Sequence, residues 1–301
     1  MFGRLWKPWF VFRPSQLARR ILVSANPPAR GYVPLSTSWG MPVIADPSSV
    51  IGRSIVTTGV YDLAVTEALF RLVSPGAVVV DAGANIGYMS VLAGMLAGSG
   101  GRVISFEPHP DLFTILQRNV EAAGRDSNVA KYEIIRAAVG DQPGTAQLHL
   151  PPGFEMNDGI ARIDPDAGPN GKSVPVQVMT LDDVLGDSKV DVLKMDVEGY
   201  EPQVLRGAMR SLADRRIRHV VFEDLSVQDS EAVRILRDAG YQIFSLGWSM
   251  WGPEVQPLDS GSLSKGYEAP NFIATLEPED VLARFKARRF ESLRSFRRSV
   301  R

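Results

Sequence analysis

The chain has 301 residues, 45% hydrophobic and 22% charged with a formal net charge of -1, enough apolar material for the core of one enzyme-sized domain of about 200–250 residues. It has no cysteine, and His109, His149 and His219 lack the i, i+4 spacing of a histidine pair, so disulfides, a thiolate nucleophile and thiolate zinc are excluded and no metal site is expected. No run approaches the roughly 18–20 apolar residues that span a bilayer, and Trp9 to Phe12 is too short for a signal-peptide core; the expectation is a soluble, cytoplasmic protein.

Charge is unevenly spread. Before Asp46 the chain carries Arg4, Lys7, Arg13, Arg19, Arg20 and Arg30 and no acid, and from Arg284 onward eight bases face Glu291 alone, so the body between is acidic. Residues 1–45, rich in Pro, Arg and aromatics, read as an irregular or short-helix extension. Residues 46–277 read as the catalytic domain. Residues 278–301 read as a basic amphipathic helix in which Val281, Leu282, Phe285, Leu293, Phe296 and Val300 form the apolar stripe. Such a helix can lie on an anionic membrane surface, pack on its own domain, or join two copies into a homo-oligomer. An acidic body offers no continuing basic groove, which argues against nucleic acid.

In chain order, a short strand after Val50 and a helix from Leu63 to Val73, stopped by Pro75-Gly76, lead into the run VVVDAGANIG from Val78 to Gly87. Val78, Val79 and Val80 suit a strand buried on both faces, Gly83 permits a sharp bend, and Gly87 lets the helix Tyr88 to Ala97 pack close. The turn Gly83-Ala84-Asn85-Ile86-Gly87 is G-x-x-x-G behind Asp81, whereas a pyrophosphate-binding turn would be G-x-G-x-x-G. An acid there repels pyrophosphate and suits a cationic amino-acid end. S-adenosylmethionine has such an end. A second strand, Arg102 to Glu107, ends in an acid followed by Pro108, which is where a carboxylate can hold a ribose diol.

A helix from Asp111 to Ala123, a third strand from Glu133 to Val139 that includes Ala137, and a turn over 140–144 follow. Leu148 to Asn170 is the longest irregular stretch in the body, a lid, a binding loop or a tolerated insertion. Then come a strand at Val174 to Val178, a short helix at Leu181 to Leu185, the fourth main strand at Val190 to Val197, and strands at His219 to Glu223, Tyr241 to Leu246 and Asn271 to Leu276. Alternating strands and helices imply a mostly parallel α/β sheet with helices on both faces.

The densest chemistry is KMDVEGYE. In an extended strand Lys194, Asp196 and Glu198 emerge on one side, at the carboxyl edge where doubly wound folds bind ligands. They read as catalytic candidates for proton removal, or as a self-neutralising Lys194–Asp196 pair ahead of a helix with Glu198 and Glu201 in its first turn. His109 is a rival base or a polar helix start. Tyr88 and Glu223 are lesser candidates.

The ordered set VVVDAGANIG, SFEP, AAVGD, TLDD, LKMDVEGYE, LRGA and NFIAT, over about Gly52 to Leu276, resembles the FkbM family of S-adenosylmethionine-dependent methyltransferases. Asp62 stands where that family more often has Glu. The resemblance implies a Rossmann-like class I methyltransferase fold with a seven-stranded sheet and an antiparallel strand near the C-terminal end. It also implies S-adenosylmethionine as cofactor and O-methylation of a sugar, glycan, glycolipid or other natural-product hydroxyl. The cofactor-binding set expected is Asp81, Gly83, Ala84, Asn85, Gly87, Glu107, Pro108 and Ala137. A binding-only protein and a nucleotide-sugar oxidoreductase are the alternatives; the missing G-x-G-x-x-G speaks against the latter.

Overall fold

The computed structural model describes residues 29–154, 161–163, 172–224, 230–258 and 270–293. The chain opens with an antiparallel hairpin, β1 (Val33–Ser36) and β2 (Pro42–Ala45), then α1 (Val50–Thr58) and α2 (Leu63–Leu72). Next come β3 (Val78–Ala82), α3 (Tyr88–Ala97), β4 (Arg102–Phe106), α4 (Pro110–Ala123) and β5 (Lys131–Ile135). Four strands then leave the main sheet: β6 (Ala138–Val139), β7 (Gly144–Leu150), β8 (Arg162–Ile163) and β9 (Lys172–Met179), ordered β6-β9-β7-β8. The chain returns through α5 (Leu181–Leu185), β10 (Val190–Met195), α6 (Glu201–Arg206), α7 (Met209–Ala213), β11 (Ile217–Glu223) and α8 (Glu231–Asp238). It ends with β12 (Gln242–Ser249), β13 (Gly252–Pro257), β14 (Asn271–Thr275) and α9 (Pro278–Phe285).

The main sheet runs β13-β12-β14-β11-β10-β3-β4-β5. Strands β5, β4, β3, β10 and β11 are parallel, and β14 is antiparallel to both β11 and β12. This is the class I methyltransferase order with one addition. The sheet has eight strands rather than seven, because β12 turns back through Trp251 into the edge strand β13. One face packs on α2, α3 and α9 through residues such as Leu69, Leu92 and Val281; the other packs on α5 to α8 through Leu181, Leu205, Leu212 and Leu236. Each fully buried aliphatic or aromatic side chain contributes about 1.5–3 kcal/mol.

Other expectations change for local physical reasons. Val50–Thr58 is a helix and not a strand: Ser49 caps it by accepting from Gly52 N, Gly59 ends it at φ 82°, and Ile51 and Ile55, four apart, form its buried face. The stretch read as one strand from Glu133 to Val139 breaks at Arg136-Ala137, so β5 ends the main sheet and β6 starts the small one. The irregular stretch from Leu148 begins as the end of β7 and contains β8; residues 155–160 and 164–170 lie outside the described residues.

The basic ends divide. Residues 33–45, read as extension, pack into the domain core through Trp39, Val43 and Ala45, and Trp39 Nε1 donates to the Tyr88 hydroxyl at 2.9 Å. At the other end, among the described residues of the expected 278–301, the helix covers Pro278–Phe285 and stops there, with 286–293 non-helical. Beyond it, Arg71 donates to the carbonyls of Arg284, Ala287 and Arg289, and buried Glu67 accepts from the backbone N–H of Glu291 and Ser292. Phe290 and Leu293 are buried there. Residues 1–28 and 294–301 lie outside the described residues.

Candidate active site

A cleft of about 1050 Å³, including its open mouth, lies at the carboxyl edge of the parallel strands. The β3–α3 turn forms its floor. Gly83 (φ 76°), Asn85 (φ 52°) and Gly87 (φ 89°) all take left-handed backbone there. At Gly83 the demand is also spatial, since a Cβ would stand 1.9 Å from the Asp196 carbonyl oxygen; at Gly87 it would stand 2.6 Å from Leu116 Cδ1. These glycines bring the turn against β10 and let α3 meet α4.

Gly83, Ala84, Asn85, Glu107, Pro108 and Ala137 line the cleft together. Glu107 Oε2 accepts from Asn85 N at 2.8 Å and Oε1 from His109 N at 2.8 Å, so the backbone of both strand-end turns fixes the carboxylate. Burial pushes the Glu107 carboxyl up to about 7 against these two hydrogen bonds. Asp81 does not line the cleft: it is buried beneath the turn, accepting from Ser90 Oγ at 2.6 Å and lying 3.1 Å from Lys194 Nζ. Its expected contact with a cationic ligand end is replaced by this internal pair, because the β3–β10 register sets Asp81 opposite Lys194.

Lys194 Nζ also donates to the Gly83 carbonyl at 2.9 Å and sits 3.6 Å from Asp196 Oδ2. Burial disfavours its charge, but Asp81 and Asp196 outweigh that and raise its pKa above the ordinary lysine value. It is a held cation and not a base. Asp196 and Glu198 line the cleft, but not from an extended strand through Glu198: β10 ends at Met195, Glu198 takes left-handed backbone (φ 53°), and the helix begins only at Glu201. Partial desolvation, then the charges of Asp196 and Glu201, push Glu198 up to about 7, opposed by Arg162 and Lys194.

His109 is a helix cap: its Nδ1 accepts from Asp111 N, its ring packs on Phe154, and burial lowers its pKa. Tyr88 lines the cleft, but its hydroxyl is taken by Trp39 Nε1 and Tyr61 N. Glu223 gains weight. It ends β11 beside Asp196, lines the cleft, and is pushed up to about 8 by burial and by Asp196, Glu198, Asp62 and Glu201.

Sequence reasoning missed Asp62, Arg162 and Tyr200 as lining residues. Asp62 carried a helix-start signal and caps α2 by accepting from Val65 N. Three of the four non-glycine residues with positive φ among the described residues, Asp62, Asn85 and Glu198, line this cleft, the concentration of backbone strain typical of functional sites. Among the described residues only His219, Glu277 and Asp280 group as metal ligands could, and they lie away from the cleft with both acids paired to arginines.

Strand order, the glycine turn and a strand-end carboxylate facing a cleft define a class I methyltransferase. The family model described as the methyltransferase FkbM domain matches residues 81–243, more than half of the chain. The chain belongs to the FkbM methyltransferase family, and S-adenosylmethionine is its cofactor. It is 31% identical over 221 residues to the 31-O-demethyl-FK506 methyltransferase FkbM of Streptomyces tacrolimicus, covering 62% of this chain and 78% of that one. It is 25% identical over 224 residues to the hexuronic acid methyltransferase AglP of Haloferax volcanii, covering 70% and 86%. A crystal structure of a methyltransferase FkbM from Methylobacillus flagellatus KT aligns at TM-score 0.42 with 16% identity, over 66% of this chain and 44% of that one.

Proposed function

We propose that the protein transfers the methyl group to a hydroxyl oxygen of a sugar, glycan, glycolipid or other natural-product acceptor. The observation that carries this is the set of carboxylates lining one cleft: Glu107 at the end of β4, and Asp62, Asp196, Glu198 and Glu223 from the neighbouring elements. Glu107, fixed by two backbone N–H groups, keeps lone pairs for a ribose diol. Gly83, Ala84, Asn85, Pro108 and Ala137 shape the wall beside it, and Gly87 sets the angle of α3 behind it. Asp81 acts one layer below, through Lys194.

S-adenosylmethionine supplies a methyl group activated by a sulfonium charge. The protein's task is then to align the acceptor hydroxyl and remove its proton, with general-base help worth about 10²–10⁴-fold. Asp196 and Glu198 stand where the hydroxyl would enter, and Lys194 positions Asp196. The activities that two relatives are named for, on a demethylated FK506 and on a hexuronic acid, support oxygen-rich acceptors. The acceptor side includes the small sheet, whose Leu148, Arg162 and Ile163 line the cleft together with Ala161 just before β8.

No helix among the described residues is long and apolar enough to cross a membrane. We place the enzyme in the cytoplasm and propose that its basic ends meet an anionic membrane surface or a second copy, although Val281, Phe285 and Leu293 of the expected apolar stripe pack in the domain core. The test is mass spectrometry with isotope-labelled S-adenosylmethionine and a panel of hexuronic acids, neutral glycosides and macrolides. Label in an O-methyl ether supports the reading; label confined to nitrogen or carbon products overturns it.

A further inference from the structure

Five carboxylates line the cleft against two cations, Lys194 and Arg162, among the described residues. Lys194 is committed to Asp81, the Gly83 carbonyl and Asp196. Arg162 acts on Glu198 from β8. Glu223 is the carboxylate left facing like charge. It follows Phe222, the register partner of Met195, so its neighbour across the β10–β11 edge is Asp196, and on its other side its partner is the uncharged Asn271 of β14. Among the described residues the acids acting on it are Asp196 at the end of β10, Glu198 beyond it, Glu201 of α6 and Asp62 at the start of α2, and the one cation that lines the same recess, Lys194, is already held by Asp81, the Gly83 carbonyl and Asp196. Adjacent carboxylates with too few counter-charges share protons, and the proton stays on the group with the poorest compensation.

We propose that Glu223 is the exchangeable carboxyl of this cleft: it holds a proton when no ligand charge is present, releases it when the cationic methyl donor binds, and then takes the proton of the acceptor hydroxyl. Its release step stands on the cofactor site alone; only its last step rests on the hydroxyl-acceptor reading above. In that last step the acceptor O–H bond would break and a Glu223 carboxyl O–H bond form, while the oxygen forms a bond to the methyl carbon as the methyl–sulfur bond breaks and leaves its electron pair on a then neutral sulfur. Atoms and charge balance without a further reactant. The raised carboxyl of Glu223 agrees with this placement.

The experiment is calorimetry at pH 7.5, without acceptor, in phosphate and in Tris, whose different ionisation enthalpies report protons exchanged. S-adenosylmethionine and the uncharged-sulfur product S-adenosylhomocysteine are titrated into the wild-type chain, Glu223→Gln and Asp196→Asn. The wild type is expected to release more protons with S-adenosylmethionine than with the product; Glu223→Gln loses that excess while binding the product within about threefold of wild type, and Asp196→Asn, which removes the first of the like charges acting on Glu223, reduces it. An excess that persists in Glu223→Gln, or no excess in the wild type, overturns the proposal. Should Glu223→Gln fail to fold, a ¹³C-carboxyl titration of Glu223 in the wild type decides: its midpoint must fall on addition of S-adenosylmethionine, and an unmoved midpoint overturns it. Absence of any binding heat would instead strike at the cofactor cleft, and label on nitrogen or carbon in the acceptor panel at the hydroxyl reading alone.

Discussion

Lys194 and Asp81 are register partners on adjacent parallel strands, and their charged atoms meet at 3.1 Å with both side chains almost fully buried. Removing one member of such a pair leaves an uncompensated buried charge, which costs about 3–5 kcal/mol. Lys194→Met is therefore expected to lower the urea midpoint strongly. Because the lysine pKa is raised in the folded state, its stabilisation is complete below the unfolded lysine value and is lost only as pH rises through the folded one. A Lys194→Met variant as stable as wild type at neutral pH would refute the structural role of the pair.

Glu107→Gln should weaken S-adenosylhomocysteine binding by about 10–100-fold, the worth of hydrogen bonds to a charged group, with the fold intact by circular dichroism. Its carboxyl is raised to about 7 in the folded protein. The folded state then binds the proton more tightly than the unfolded chain, so this group stabilises below its unfolded value and that stability is lost as pH climbs through about 7. Thermal melts of the free protein should show Glu107→Gln removing part of the decline between pH 5 and 8. Unchanged product affinity in this variant would remove the ribose assignment.

Gly83→Ala and Gly87→Ala should separate in severity. Both need left-handed backbone, but an added Cβ at Gly83 meets the rigid Asp196 carbonyl whereas at Gly87 it meets the end of the Leu116 side chain, which can rotate. Overpacking costs about 1–3 kcal/mol where the neighbour yields. Gly87→Ala should fold with a reduced denaturation midpoint, and Gly83→Ala should lose substantially more. Equal midpoints would refute the close approach at Asp196.

The clamp on the C-terminal segment gives a separable prediction. Arg71→Met removes the donor to three backbone carbonyls and leaves Glu67 buried beside an empty partner site. Hydrogen exchange and limited proteolysis are expected to increase over residues 284–293. Product affinity should hold, because the clamp lies away from the cleft. Unchanged protection in that segment would show that Phe290 and Leu293 hold it without the clamp.

Features that depend on neighbours in sequence are legible in the chain itself. The run Val78 to Gly87, the strand ending in Glu107-Pro108, the helix over 110–123 and the short helix over 181–185 each carry their own periodicity, turn or cap, so their placement at one carboxyl edge follows from the alternation of elements. Where local signals conflict, tertiary contacts decide. Val50–Thr58 has β-branched residues yet is helical through its caps and its buried Ile51–Ile55 face. The hairpin at 33–45 has no clear period but is fixed by Trp39 against Tyr88. Charge roles are the least legible, since pairing between strands is set by register and not by spacing along the chain. Register joins Asp81, under the turn and outside the cleft lining, to Lys194, and sets Glu223 beside Asp196 across more than twenty intervening residues. The sequence alone determined the family, the cofactor and the elements that carry them; only the tertiary structure decided which carboxylates are spent on internal partners and which remain in the cleft, because desolvation and charge compensation depend on what surrounds each group in space.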